Sequence, residues 1–253
     1  YDLFVLVIYA AIVGFGIWHH EPWNDEALPW VIVRETNLGG LLDLIFHNWD
    51  RHPVLFYLLL FPFVKLGFPY AVQALLNFCL SLAAGFLFVT KAPFPRIFRY
   101  VFLFSFYMLY EYSVLTRPYM LALVLLFIMA IFYERRNKRP FLYAILITLL
   151  LHSDYMVFGL GAGLTLAFAV EHLGKRSRGM RFWIPLGIMG LNVVWVFWMG
   201  KSLPAQHHEY GQPLTFSVQH IVQAVMNAFS PFAGQVVYAK VISPLAFWGG
   251  VAV

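Results

Sequence analysis

The sequence places ionisable side chains in four short stretches that interrupt long apolar runs. Carboxylates and imidazoles can exchange protons, and guanidinium groups bind anions such as phosphates, so these residue types are typical of acid–base and phosphate-binding sites. Ionisable residues are costly at membrane depth and are therefore functional candidates where they occur there. The four stretches are Asp25-Glu26, Asp50-Arg51-His52-Pro53, Glu111 with Thr116-Arg117-Pro118-Tyr119, and His152-Ser153-Asp154-Tyr155.

The first pair, Asp25 and Glu26, also has a simpler interpretation. Asn24 can cap a short helix that begins with these two residues, and the positive end of a helix dipole favours negative charge. Two solvated carboxylates at a helix N-terminus would then carry no chemistry. The three other polar stretches favour a functional site, because a solvated helix end does not explain them.

The composition decides the class of protein. The chain has 253 residues, of which 61% are hydrophobic and 11% charged, with a mean hydropathy of +0.73. Soluble domains contain about 45–50% apolar and about 25% charged residues, so a water-soluble, a disordered and a collagenous chain are excluded. The sequence predicts an integral membrane protein, and its single cysteine, Cys79, excludes an intrachain disulfide and a cysteine metal site.

Seven apolar runs before residue 200 approach the length of about 20 residues that a membrane span needs. They predict an all-α, polytopic membrane domain that occupies residues 1–253. The chain begins without methionine and its last apolar run breaks off at Val253, so we expect it to be part of a longer protein. The seven predicted spans are 2–18, 71–90, 98–115, 118–133, 140–154, 155–171 and 182–200.

The charges predict how these spans are oriented. Six of the twelve acidic residues lie in the stretch 19–52, which we expect to be an outer loop with helices at the lipid headgroup level. Eleven of the seventeen cations lie in three short connectors, as the positive-inside bias predicts for cytoplasmic loops. This distribution argues against a nucleic-acid-binding face, despite the net charge of +5. The connector cations are Lys91, Arg96 and Arg99; Arg135, Arg136, Lys138 and Arg139; and Lys175, Arg176, Arg178 and Arg181.

The run 54–67 decides between two topologies. If it spans the membrane, the basic connectors at 91–99 and 134–139 fall outside. If it is instead a membrane-embedded or interfacial helix, all three basic connectors lie inside and every polar stretch lies outside. The second topology agrees with the charges, and it makes 53–200 the remaining spans, 201–219 an outer loop and 220–253 an amphipathic helix followed by the start of a further span.

The order and spacing of these stretches resemble a known family. An Asp-Glu pair follows the first span, a D-x-H-P stretch opens an apolar helix about 25 residues later, and R-x-Y stands between two later spans. Over roughly residues 1–200 the chain is similar to the GT-C glycosyltransferases, in particular to the branch of protein O-mannosyltransferases and lipid A aminoarabinose transferases. It departs from the family pattern at Pro53-Val54, where two prolines are usual, and at Gln73, where arginine is frequent.

The resemblance implies a function. It implies an inverting transfer of a sugar from a polyprenyl-phosphate carrier to a protein, lipid or glycan acceptor at the outer face of the membrane. Asp25 matches the catalytic carboxylate, which would take the proton of the acceptor hydroxyl, and Glu26 is its neighbour in the catalytic pair, with an orienting role. A lipid phosphate can be stabilised by cations without a metal, so we expect no cofactor and no divalent ion. The donor phosphate would be bound by Arg117, Arg51 and His52, supported by Asp50, Tyr119, Asp154 and Glu111.

The stretch His207-His208-Glu209 invites a zinc hypothesis, which the spacing does not favour. Adjacent helical histidines point about 100° apart and cannot easily share an ion. We interpret the stretch as an outer loop bounded by Pro204 and Pro213 that could contact the acceptor. No metal site is predicted.

Two other classes of protein are alternatives to an enzyme. A transporter or flippase of a lipid-linked or polar substrate would place charged or helix-breaking residues at mid-span in two corresponding halves, which the sequence does not show. A structural subunit would leave the coincidence of Asp25, the D-x-H-P stretch and Arg117 on one side unexplained. The sequence therefore favours a membrane enzyme, and the absence of a large inserted domain favours a bacterial inner membrane.

Overall fold

The structure, a computed structural model, describes residues 1–46, 54–173 and 179–201. Of these residues 82% are helical, and none forms a strand. The prediction of an all-α fold is confirmed. In these ranges four helices are long and apolar enough to cross a membrane, which supports the prediction of a membrane protein: Asp2–His19, Ala71–Lys91, Tyr155–His172 and Met180–Met199.

Ten α-helices follow one another along the described parts of the chain. Short π-helical and 3-10 segments lie at Tyr107–Glu111, Tyr133–Arg135 and Tyr155–Val157. The α-helices are α1 (Asp2–His19), α2 (Asn24–Glu35), α3 (Leu38–Phe46), α4 (Val54–Lys65), α5 (Ala71–Lys91), α6 (Arg96–Leu103), α7 (Tyr119–Phe132), α8 (Pro140–Leu151), α9 (Phe158–Leu173) and α10 (Met180–Lys201).

The described cations of the three basic connectors gather at one end of the helical bundle. The Arg181 side chain donates a 2.6 Å hydrogen bond to the Lys138 carbonyl, which joins the third connector to the second. A cavity lined by Lys91 and Glu134 joins the first connector to the second. This end, defined by Lys91, Arg136, Lys138 and Arg181, is called the basic end.

The three polar stretches that the structure describes meet at the opposite end. Here Asp25 and Glu26 contact Thr116 and Arg117, which precede α7, and the turn at His152–Asp154 follows α8. This end is called the acidic end. Within the described ranges, the chain passes between the two ends seven times, through α1, α5, the segment 96–116, α7, α8, α9 and α10.

Only four of these seven passes are the continuous apolar helices that the sequence predicts. Residues 98–115 form the larger part of α6, which ends at Leu103, and a π-helical turn at Tyr107–Glu111 instead of one continuous span. The run 140–154 yields a helix of only 12 residues, about 18 Å long, which ends where the turn at His152 begins. The run 118–133 likewise yields 14 residues of α-helix.

Buried polar side chains satisfy the backbone where the pass 96–116 is broken. Asn77, in the middle of α5, donates from Nδ2 to the Tyr112, Ser113 and Leu115 carbonyls at 3.1, 2.8 and 3.1 Å. The Tyr9 hydroxyl of α1 donates to the Met108 carbonyl at 2.8 Å. Carbonyl groups released from a helix inside a membrane domain need such partners, so the break is built into the packing of α1 and α5.

Helix α4, from the run 54–67, does not pass between the two ends. At its start, the Leu55 amide donates to the His152 carbonyl at 3.0 Å. Near its end, Lys65 Nζ donates to the Arg34 carbonyl of α2 at 3.1 Å. Both ends of α4 therefore lie at the acidic end, where α2 and α4 pack on each other around buried Trp30 and Leu60. This arrangement agrees with the second topology, in which α4 does not span the membrane, and that topology stays a prediction.

The two ends of the bundle predict the result of a cysteine-labelling experiment. In a Cys79→Ser background, Glu21→Cys marks the acidic end and Phe94→Cys marks the basic end, and both positions are exposed. We expect an impermeant thiol reagent applied to the outer side of intact cells or vesicles to label residue 21, and residue 94 only after permeabilisation. Labelling of both positions from the same side would contradict the topology.

Candidate active site at the acidic end

The candidate site starts with the first turn of α2. The helix begins at Asn24, and the Trp23 amide donates to Glu26 Oε1 at 3.1 Å. Glu26 therefore provides the cap that the sequence analysis assigns to Asn24. The helix ends at Glu35.

Glu26 lies in the interior and has all its oxygens occupied. It is 1% exposed. Its Oε2 accepts hydrogen bonds from the Thr116 amide at 2.8 Å and from Thr116 Oγ1 at 3.1 Å. Its Oε1 lies 2.8 Å from His20 Nε2 and also accepts the Trp23 amide. A carboxylate in this environment is a structural anchor that joins α2 to the segment before α7.

These partners also set the charge state of Glu26. Burial on its own raises the pKa of the carboxyl group, but hydrogen bonds from the Thr116 amide, His20 and the Trp23 amide favour the ionised form more strongly. The net effect lowers the pKa of Glu26 below its ordinary value of 4.5. Glu26 is therefore an anion at neutral pH and is poorly suited to accept a proton during catalysis.

Gln73 reinforces the same junction from α5. Its Nε2 donates to the Glu26 carbonyl at 2.7 Å, and it is 3.1 Å from both the carbonyl oxygen and Oγ1 of Thr116. Gln73, Asn77 and Ser81 are buried polar residues spaced four apart. At the level of sequence, Gln73 stands out only as a departure from a family pattern, and the stripe was missed. The spacing could have revealed the stripe, since polar residues at every fourth position of an apolar run share one helix face.

Thr116, held in this way, positions Arg117 beside Asp25. Arg117 Nη2 donates to Asp25 Oδ2 at 2.9 Å, across 92 residues of sequence. The Asp25 side chain is 62% exposed and that of Arg117 is 24% exposed, so the pair is open to ligands on the carboxylate side. The meeting of these two groups, on which the interpretation of the sequence depends, is therefore found in the structure.

Tyr119 completes the surroundings of the guanidinium group. Arg117 Nη1 donates to the Tyr119 hydroxyl at 3.2 Å, and its Cζ lies 5.4 Å from the centre of the same ring. The Tyr119 ring also meets Tyr112 edge to face, with centres 5.8 Å apart. Within the described residues, Arg117 Nε is buried and donates to no oxygen. The guanidinium group thus keeps donors available beyond those that Asp25 and Tyr119 use.

The predicted supporting carboxylates, Glu111 and Asp154, lie in the same neighbourhood. Glu111 interacts electrostatically with Arg117, and both carboxylates act on the Tyr119 hydroxyl. Asp154 is 5% exposed and caps the 3-10 turn after α8, where its Oδ1 accepts the Met156 amide at 2.7 Å. Asp154 therefore has at least a structural role in shaping the turn.

Six of the predicted site residues lie outside the described ranges. They are Asp50, Arg51, His52, His207, His208 and Glu209. Within the described ranges no group of three or more His, Cys, Asp or Glu side chains is arranged to hold a metal ion. The expectation of a metal-free site stays a prediction.

The described part of the site is thus formed by α2, the segment before α7 and the turn after α8, with Gln73 of α5 beneath it. Comparison of the chain with protein-family models, with curated proteins and with solved structures finds no match. A functional assignment therefore depends on the residues of the site and on their geometry.

Proposed function

We propose that this chain is the catalytic membrane domain of a GT-C-type glycosyltransferase that transfers a sugar from a polyprenyl-phosphate donor, with inversion, to an acceptor at the outer membrane face. The observation that carries the proposal is the 2.9 Å contact between Asp25 and Arg117. A base and a phosphate-binding cation are the two groups that such a transfer needs without a metal ion. The acidic end would face the periplasm in a bacterial inner membrane.

Asp25 acts as the base in this proposal. Oδ2 is held by Arg117, whereas Oδ1 accepts no hydrogen bond from the described residues, and the side chain is mostly exposed. The acceptor hydroxyl oxygen forms a bond to the anomeric carbon while its proton passes to Asp25. The bond between the anomeric carbon and the phosphate oxygen breaks, and its electron pair leaves with the lipid phosphate. A single displacement of this kind inverts the anomeric centre.

Arg117 binds the donor phosphate. A guanidinium group has five N–H donors in a planar fork, and only two are used by Asp25 and Tyr119. Inversion needs the base and the leaving group on opposite faces of the sugar, so the direct contact between Asp25 and Arg117 has to open when the donor binds. Phosphate then replaces Asp25 as the partner of Arg117, and this exchange frees the carboxylate only when a donor is present.

The remaining residues position these two groups. Glu26 and Gln73 hold Thr116, and Thr116 fixes the backbone from which Arg117 extends. The Tyr119 hydroxyl and ring restrict where the guanidinium group can move. Glu26 therefore contributes to the reaction through Arg117 and does not itself exchange a proton.

An assay with labelled donors tests the proposal. Full-length purified protein, reconstituted in lipid and incubated with a panel of polyprenyl-phosphate sugars, is expected to transfer one of them to an acceptor, with inversion of the anomeric centre. The rate should be unchanged in EDTA, because Arg117 supplies the charge that a divalent ion would otherwise supply. Retention of configuration would contradict the base role, and loss of activity in EDTA that Mg²⁺ or Mn²⁺ restores would contradict the metal-free site.

A further inference from the structure

A cavity of about 460 Å³ opens at the basic end, between the C-terminal half of α5, the turn that follows it and the C-terminal half of α7. The volume is in the range of ligand-binding sites. Helix α5 contributes Gln73 to the junction at the acidic end and Lys91 to this cavity, and 18 residues of helix are about 27 Å long. The cavity is therefore separate from the candidate active site.

Three phenylalanine side chains, Phe88, Phe94 and Phe127, line its wall. Phe88 lies between Phe94 and Phe127, with ring centres at 6.1 and 5.2 Å. Phe94 is 46% exposed and Ile131 is 40% exposed, so the apolar wall continues to the outside of the bundle. In a helix pair that crosses a membrane, such an opening faces lipid, and hydrocarbon is the matching ligand.

The opening also carries one charge of each sign. Lys91 ends α5 and Glu134 follows α7, and both line the cavity and are exposed. Among the described residues, neither forms an ion pair. The two charges are thus available to a ligand whose headgroup carries both signs.

We propose that this cavity binds a zwitterionic phospholipid with a primary amine headgroup. One acyl chain lies along the wall that Phe88, Phe94 and Phe127 form, the phosphate meets Lys91 and the ammonium group donates to Glu134. A headgroup with only negative charge would be repelled by Glu134. A quaternary amine has no N–H to donate to the carboxylate, so it would bind less well than the primary amine.

Photolabelling in vesicles tests this proposal. The full-length protein is reconstituted with phospholipids that carry the same photoreactive acyl chain and differ in the headgroup: ethanolamine, choline or glycerol. We expect the ethanolamine lipid to label the peptides that contain Phe88 and Phe127 about fivefold more than the other two, as two charged contacts at a surface allow. Ala130→Trp, which fills the cavity, should remove this label.

Single substitutions test the contributions of Lys91 and Glu134 one at a time. Glu134→Gln is expected to abolish the preference for ethanolamine over choline, and Lys91→Ala to lower labelling by all three lipids. Lys138→Ala, an exposed cation of the basic end that does not line the cavity, should change nothing. Equal labelling by the three headgroups in the unmodified protein, or unchanged labelling after Ala130→Trp, would overturn the proposal.

Discussion

Replacement of Asp25 by asparagine in the full-length protein is expected to lower the rate of sugar transfer by about 10²–10⁴-fold, the usual contribution of a general base. Asparagine keeps the size of the side chain but cannot accept the proton of the acceptor hydroxyl. Donor binding should become stronger, by up to about fivefold, because the carboxylate no longer competes with phosphate for Arg117. Initial rates at varied donor concentration measure both effects.

Arg117→Ala should act in the opposite way on donor binding. It removes the cation that binds the phosphate, so we expect a higher KM for the donor and a kcat/KM lower by about 10²–10³-fold. Combining it with Asp25→Asn should cost less than the sum of the two effects, because the residues act as a unit.

The control residues lie on α2, the helix that carries Asp25. Arg34 and Glu35 form an ion pair at 2.8 Å with both side chains mostly exposed, so Arg34→Ala and Glu35→Gln should leave the transfer rate unchanged. Asp25→Asn should not destabilise the fold by more than about 1 kcal/mol, because the Asp25 side chain is 62% exposed and such ion pairs contribute little. Asp25→Asn protein with at least one tenth of the normal rate would contradict the assignment of the base.

Replacement of Glu26 by alanine is expected to lower the free energy of unfolding by about 3–5 kcal/mol, the largest effect on stability that we predict. The change leaves the buried Thr116 amide without its acceptor, and the Trp23 amide and His20 lose their partner. Thermal or denaturant unfolding of the purified protein in detergent measures the effect. Glu35→Gln is again the matched control, and it should change the free energy of unfolding by less than about 0.5 kcal/mol.

The pH dependence of this effect follows from the lowered pKa of Glu26. A carboxyl group whose pKa is lower in the folded state stabilises the fold fully above its ordinary pKa, here 4.5, and loses that contribution as the pH falls through the folded value. The stability difference between the unmodified protein and Glu26→Gln should therefore be constant near pH 7 and shrink below about pH 4.5. A difference that grows on acidification would show that Glu26 is not anionic in the fold.

The sequence predicts the all-α fold class because that class depends on composition and on the length of the apolar runs. An excess of apolar residues in runs of about 20 leaves only helices to satisfy the backbone in a membrane. The clustering of cations in three connectors also predicts which connectors lie together, and the contacts of Lys138 and the cavity at Lys91 agree with it. Hydropathy alone does not show that the pass 96–116 is broken, since the break depends on Asn77 and Tyr9, which stand on other helices.

The sequence also does not show which glycine of α9 packs against a neighbouring helix. The spacing Gly159-x-x-x-Gly163 indicates close packing in the sequence, yet a Cβ atom at either position would meet nothing within 4 Å. Gly161, between them, is the residue in close contact, where a Cβ atom would lie 2.6 Å from Leu151. Periodicity identifies a small-residue segment, whereas the rotation of the helix decides which glycine faces its neighbour.

By itself, the sequence determined a helical chain with apolar runs long enough to cross a membrane, and it indicated a candidate site that combines carboxylates with Arg117. Only the tertiary structure decided which carboxylate contacts Arg117 and which is buried. Asp25 and Glu26 are neighbours on one helix, but the helix turns one towards Arg117 at the surface and the other into a junction with Thr116 and Gln73. Partners 47 to 92 residues away create that difference, and no local pattern encodes contacts that exist only after the bundle has closed.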